Sequence, residues 1–196
     1  MATAAHVNQG VMAVSERFEI RLAGEGGQGL ILAGLILAEA AAIYDGKHAV
    51  QTQSYGPEAR GGASKSEVVI SNEEVDYPMV TEADVLLAMG QEACDRYFYG
   101  LKKNGVLIVD SDKVGRVPTS RAVRVPIARL AVQATGKPIT ANVVALGLVV
   151  GLTGVVSLEA IEKAVLARAP LGTEAINRQA LLVGLQEATR LRSETA

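Results

Sequence analysis

Residues 18–23 alternate apolar and polar side chains and run straight into Gly24-Glu25-Gly26-Gly27-Gln28-Gly29, after which residues 30–44 carry almost no polar face. The alternation predicts a strand, the glycines a tight turn, and the long apolar run that stops at Asp45-Gly46 a helix covered on both flanks. A strand that feeds a helix through glycines is how an α/β domain opens. Gly24, Gly26 and Gly29 also satisfy the spacing G-x-G-x-x-G. Glycines there let the backbone approach a ligand closely, and free N–H groups at a helix start favour a phosphate or another anion. Gly26, Gly27, Gln28 and Gly29 are therefore candidate binding positions, although Glu25 sets a negative charge beside them. An acid at the end of the second strand, which a dinucleotide site uses on the ribose, is missing. Gln51, Thr52, Gln53 and Ser54 occupy that region and Asp45 falls before it. A turn needed only for helix–sheet packing, or for contact with another protein, fits the same residues.

Further along, residues 49–53 and 67–70 read as strands, 84–89 as a strand, 91–103 as a helix and 106–110 as another strand, so a right-handed parallel βαβ unit is expected. After a short strand at 123–126 the pattern is helical over 130–135, 139–150, 158–169 and 174–189. With no repeat and no low-complexity linker, this predicts one domain over 17–196 behind a flexible tail, 1–16. Its architecture is a three-layer, Rossmann-like α/β fold with a mostly parallel sheet and a helical C-terminal third. Residues 138–158 are uncharged and as long as a membrane span, but Thr140, Asn142, Gly147, Gly151, Thr153, Gly154 and Ser157 dilute them. They read instead as a helix buried on most of its surface, expected to be covered by another subunit.

Composition narrows the chemistry. Nineteen Lys and Arg against 21 Asp and Glu leave a net charge of −2 and no electrostatic reason for a nucleic-acid partner. Cys94 is the only cysteine, which excludes an internal disulfide or a four-cysteine cluster and points to a reducing, cytoplasmic location. With His6 and His48 the only histidines, no imidazole-rich metal site is available and no metal ligand is assigned. No residue is assigned a catalytic role. Cys94 reads as a small buried apolar residue, and Asn142 as a helix cap or an interface hydrogen bond.

The loop between the second and third strands is the other decorated segment. Arg60 offers a planar fork of donors for phosphate or carboxylate, Tyr55 an aromatic face, and Gly61 and Gly62 a small anion-binding concavity. Glu58 stands two residues from Arg60, and a local ion pair that stiffens the loop accounts for both equally well.

The run from Tyr55 through Gly56-Pro57-Glu58-Ala59-Arg60-Gly61-Gly62-Ala63-Ser64-Lys65 to Ser71, with the glycine turn, Ala83-Asp84-Val85-Leu86 and Asn142-Val143-Val144-Ala145-Leu146-Gly147, carries a specific resemblance. The chain resembles the gamma subunits of thiamine-diphosphate-dependent 2-oxoacid:ferredoxin oxidoreductases, most closely the 2-oxoglutarate type, over 17 to about 185. That resemblance implies a complex converting the 2-oxoacid and coenzyme A to acyl-CoA (succinyl-CoA) and CO2, with electrons passed to ferredoxin. It also implies that thiamine diphosphate, Mg2+ and [4Fe-4S] clusters sit on alpha and beta subunits, with a ferredoxin-like delta subunit in some complexes. This chain, which has no Gly-Asp-Gly segment, would bind none of them alone and would be inactive in isolation. The expected contribution of Gly26, Gly27, Gln28, Gly29, Tyr55, Glu58, Arg60, Gly61 and Gly62 is to assembly and to the coenzyme A pocket. Lys65 keeps the charge but not the fork of the arginine often found there. Two other roles compete: a free-standing nucleotide-binding or regulatory module, and a purely architectural subunit.

Overall fold

A computed structural model describes residues 17–54 and 63–195. The expected tail, 1–16, lies outside them. Six strands form one sheet: β1 (Arg17–Glu25), β2 (His48–Ser54), β3 (Ala63–Ser71), β4 (Ala83–Ala88), β5 (Leu101–Asp110) and β6 (Val123–Val125), in the order β2-β3-β1-β4-β5-β6. β1, β4, β5 and β6 pair in parallel. β3 runs antiparallel to both β1 and β2, so it alone opposes the rest.

α1 (Leu30–Glu39) leaves the carboxyl end of β1 and crosses one face, and its last turn loosens into a π-helical turn over Ala40–Tyr44. The chain enters β2 at the sheet edge and comes back as β3 into the gap beside β1. Val68, Val69 and Ile70 suit that place: they are fully buried, on both faces of the strand.

The remaining helices are α2 (Gln91–Tyr97), α3 (Ile127–Thr135), α4 (Ala141–Thr153), α5 (Leu158–Arg168) and α6 (Glu174–Thr195). Phe18, Ile20 and Leu22 of β1 and Val85 and Leu87 of β4 pack beneath α1 and α3–α6. On the opposite face Ala23, Leu86, Ala88, Leu107 and Val109 meet α2 through Ala93 and Cys94, while Val69 and Ala83 lie under the 72–82 connection. These are the three layers expected from the sequence.

Several boundaries differ from the sequence reading, those of β1 and α2 among them. β1 continues through Gly24 and Glu25, so the turn proper begins at Gly26. α2 stops at Tyr97 rather than residue 103, because a 3-10 turn over Phe98–Gly100 breaks it and Lys102 is drawn onto the sheet by both carboxylate oxygens of Asp84, each at 2.8 Å. The βαβ unit pairs β4 and β5 in parallel as expected, while β3, whose direction the sequence left open, is antiparallel, since a hairpin needs no crossover helix.

The polar alternation of β1 does not face water. Glu19 is 4% exposed, and its carboxylate accepts the Thr81 and Glu82 amides at 2.8 and 3.2 Å and the Arg17 Nε at 2.5 Å. Arg21, 7% exposed, donates to the buried Glu67 carboxylate of β3 at 2.6 Å.

The uncharged 138–158 segment also resolves differently from the expectation of a covering subunit. Its helix, α4, is buried within this chain, wedged between the sheet layer and α6. Gly147 of α4 and Gly184 of α6 meet where the helices cross. A Cβ on Gly147 would stand 2.5 Å from the Leu181 carbonyl oxygen and 2.9 Å from the Gly184 Cα, and a Cβ on Gly184 would fall on the Val144 carbonyl oxygen. Backbone cannot yield as a flexible side chain does. Gly184→Ala is therefore expected to destabilise the chain by about 2–4 kcal/mol and to lower its melting temperature by about 5–10 °C, read by calorimetry. Gly46→Ala tests local backbone strain alone, since its φ of 65° strains any residue with a Cβ while its open surroundings exclude a packing clash.

Candidate functional site

The parallel strands β1 and β4 lie side by side while their following helices leave to opposite faces, which opens a crevice at their carboxyl ends. The glycine turn fills that crevice. The Gln28 amide closes it on the Glu25 carbonyl at 3.3 Å, and Gly27 and Gly29 adopt φ of 90° and 74°. Gly29 is the left-handed residue before α1, and its carbonyl accepts from Ala33 N at 3.0 Å and from Asn142 Nδ2 at 3.2 Å.

Gln28 is held from both sides. Its Oε1 accepts the Glu25 amide at 2.9 Å and its Nε2 donates to the Met89 carbonyl at 3.1 Å, while Met89 N donates to the Ala23 carbonyl at 2.9 Å. The side chain thus ties the turn to the end of β4, leaving Gln28 a positioning role. Gly26 and Gly27 remain open: nothing lies within 4 Å of where a Cβ would stand on either. Among the described residues their amides donate to no backbone acceptor. The first turn of α1 holds no acid, and among the described residues the exposed Glu25 is the acid of the turn that precedes it.

Tyr55, Glu58, Arg60, Gly61 and Gly62 lie outside the described residues. Their anchors do not. Ala63 pairs with Glu25, Ser64 with Gly24 and Ser54 with Lys65, and Ser64 Oγ donates to the Gly24 carbonyl at 3.3 Å. The second loop therefore leaves and re-enters the sheet level with the glycine turn. Below its return, Lys65 Nζ and Arg21 Nε share the Glu67 carboxylate at 2.9 and 2.6 Å, and both cations stand near the Tyr97 ring, at 5.7 and 5.6 Å. Burial pushes the Tyr97 hydroxyl above its ordinary pKa, against the opposing pull of Arg96 and Arg21.

Other singled-out residues have internal duties. Asp45 accepts the Ser157 amide and hydroxyl at 2.7 and 2.6 Å and so braces the start of α5. Asn142 Nδ2 donates within the chain to the Gly29 carbonyl. Cys94 is fully buried, and burial pushes its thiol up. Among the described residues no three His, Cys, Asp or Glu are grouped to hold a metal ion, and no helix is long and apolar enough to cross a membrane.

The sequence reading missed a cavity of about 180 Å³ on the far side of Asn142, floored by Leu32, Ile36, Val143, Val165 and Ile176. Its sequence signal was slight: Leu32 and Ile139 are apolar positions left exposed.

Residues 19–187 match the family described as pyruvate ferredoxin/flavodoxin oxidoreductase. The chain belongs to that family. It is 50% identical over 182 residues to the 2-oxoglutarate synthase subunit KorC of Methanocaldococcus jannaschii, covering 91% of this chain and 97% of that one. Among solved structures it is similar to a keto/oxoacid ferredoxin oxidoreductase gamma subunit from Geobacter sulfurreducens, with a TM-score of 0.82 and 55% identity over 90% of this chain and 98% of the other. The pyruvate oxidoreductase subunit PORC of Thermotoga maritima aligns with a TM-score of 0.70 at 29% identity, over 88% and 97%.

Two outcomes test this geometry. Gly29→Ala forces a left-handed residue whose Cβ would stand 2.6 Å from Asn142 Nδ2, and should cost about 1–3 kcal/mol in denaturant unfolding. Cys94, buried and less acidic than a free thiol, should react at pH 8 with a thiol reagent at least ~100-fold more slowly in the folded chain than in guanidinium.

Proposed function

We propose that this chain serves as the gamma subunit of a 2-oxoglutarate:ferredoxin oxidoreductase and that the paired loops at its sheet edge form part of the coenzyme A pocket. The complex would oxidatively decarboxylate 2-oxoglutarate to succinyl-CoA and CO2 and pass the two electrons on to ferredoxin. Alpha and beta subunits would carry thiamine diphosphate with its magnesium and the iron–sulfur clusters, chemistry for which this sequence has no thiamine-site segment and only one cysteine. The work would take place in the cytoplasm.

One observation carries the reading: the register of β3 brings both ends of the second loop level with the glycine turn. Two loops rich in anion-binding groups on one edge suit a ligand that carries several phosphates. The Gly26 and Gly27 amides and the start of α1 would hold one phosphate, where there is room for its oxygens. Gln28 would keep the turn open through its ties to Glu25 and Met89. Arg60 would pair with a second phosphate, with Tyr55 and the Gly61 and Gly62 amides beside it and Glu58 orienting the guanidinium.

Reconstitution with the companion subunits tests the substrate and the pocket separately. With 2-oxoglutarate, pyruvate and 3-methyl-2-oxobutanoate offered in turn, kcat/KM should favour 2-oxoglutarate by about tenfold or more. Arg60→Ala should raise KM for coenzyme A about tenfold or more while the 2-oxoacid KM and the subunit ratio stay as in the wild type. Loss of assembly in that variant would make the loop architectural.

A further inference from the structure

Charge is spread unevenly over this chain. Residues 96–124 hold seven Lys and Arg against Asp110 and Asp112, within a sequence whose net charge is −2. Neither acid neutralises the cluster. Asp110 is fully buried and accepts the Asp112 and Ala128 amides at 3.0 and 2.9 Å, while Asp112 pairs outward with Arg129 at 3.3 Å. Lys102 is matched by Asp84, but among the described residues Lys103 and Arg121 have no carboxylate at ion-pair distance. Arg116 reaches Asp95 only at 3.8 Å, with 85% of its own side chain exposed.

The fold brings four of these cations, Lys102, Lys103, Arg116 and Arg121, to hollows bordered by one aromatic side chain. The 114–122 stretch returns across the α2 face of the sheet, and Arg121 fastens it by donating to the Lys103 carbonyl at 2.8 Å. Tyr99, at the 3-10 turn after α2, is 86% exposed. It borders two shallow hollows, one lined by Lys103, Thr119 and Arg121 and the other by Arg116, Pro118 and a single acid, Asp95. Phe98 props the ring edge-on, with centroids 5.5 Å apart at 75°. A propped, exposed tyrosine beside the unmatched Lys103 and Arg121 and the loosely paired Arg116 has the make-up of an interface anchor, since tyrosine and arginine dominate binding energy and charge guides encounter.

Three occupants fail on charge. Residues 1–16 offer a single acid, Glu16. A second copy meeting this face across a two-fold axis would set the same cations against each other. The chain as a whole, at −2, repels a polynucleotide. We propose that the Tyr99-centred basic surface, with Lys103, Arg116 and Arg121, is a docking face for an acidic surface on a companion subunit of the complex. The tyrosine is the apolar anchor between the two hollows, and the cations face carboxylates of the partner.

The test measures association of the chain with its purified companion subunits at low and high salt. Wild-type affinity should fall by about tenfold or more between ~50 and ~500 mM NaCl. Lys103→Glu combined with Arg121→Glu should slow association about tenfold at low salt and flatten the salt dependence, whereas Tyr99→Ala should speed dissociation about tenfold and leave the salt slope intact. Arg116→Glu, at a side chain 85% exposed whose one ion pair is the long contact to Asp95, should reproduce the charge effect in part, with melting temperature changed little. Wild-type affinity in all three variants overturns the proposal, as does assembly insensitive to salt. Binding of duplex DNA that is lost in the variants while subunit assembly persists overturns it too.

Discussion

The antiparallel register of β1 with β3 runs unbroken from Arg17↔Ser71 to Glu25↔Ala63, and the sheet edge above it takes its layout from those pairs. Because side chains alternate along a strand, a slip of β3 by one residue against β1 would carry Glu67 to the face now filled by Ile20, Leu22 and Val68 and leave Arg21 behind on the other. The buried Arg21–Glu67 pair, at 2.6 Å, makes sense only in the present register. A buried ion pair adds little net stability over a well-packed apolar pair, but separating its members leaves an uncompensated charge, so it penalises the wrong alignment more than it strengthens the right one. Both loops at the sheet edge therefore depend on a choice made within the sheet.

The helical layer is closed by a different means. α4 is apolar almost all round, and it is satisfied inside the chain because Gly147 and Gly184 let α6 come down to backbone contact. The loop edge and the basic surface around Tyr99 lie on different parts of the sheet, one at its carboxyl edge and one across the α2 face. Under the proposed function the chain is a connector that would offer one surface to coenzyme A and another to a companion subunit.

Much of the architecture was legible. β1, the apolar start of α1, β4 and the βαβ unit follow from period-two and period-3.6 patterns strong enough to survive any tertiary context. The shortened α2 was not, since residues 98–103 carry no helix-breaking signal beyond Gly100 and depend on the Lys102–Asp84 contact across the sheet. The site was legible only by halves. Gly26, Gly27 and Gly29 stand out by spacing, but nothing local marks the side chain of Gln28 as internally committed: its acceptor on Met89 is 61 residues away. Asn142, reaching Gly29 across 113 residues, is the same case.

By itself the sequence determined the alternation of strand and helix, the glycine turn, the lack of cysteine for a cluster and, through its long loop motif, the family to which the chain belongs. Those are properties of neighbouring residues, set by side-chain period, backbone freedom and composition. Only the tertiary structure decided that β3 runs backwards between β2 and β1, that Glu19 and Arg21 are buried, that α4 is covered by α6, and that scattered lysines and arginines converge around Tyr99. Each of these is a meeting of distant segments, and local pattern records what a residue prefers but not which remote neighbour will satisfy it.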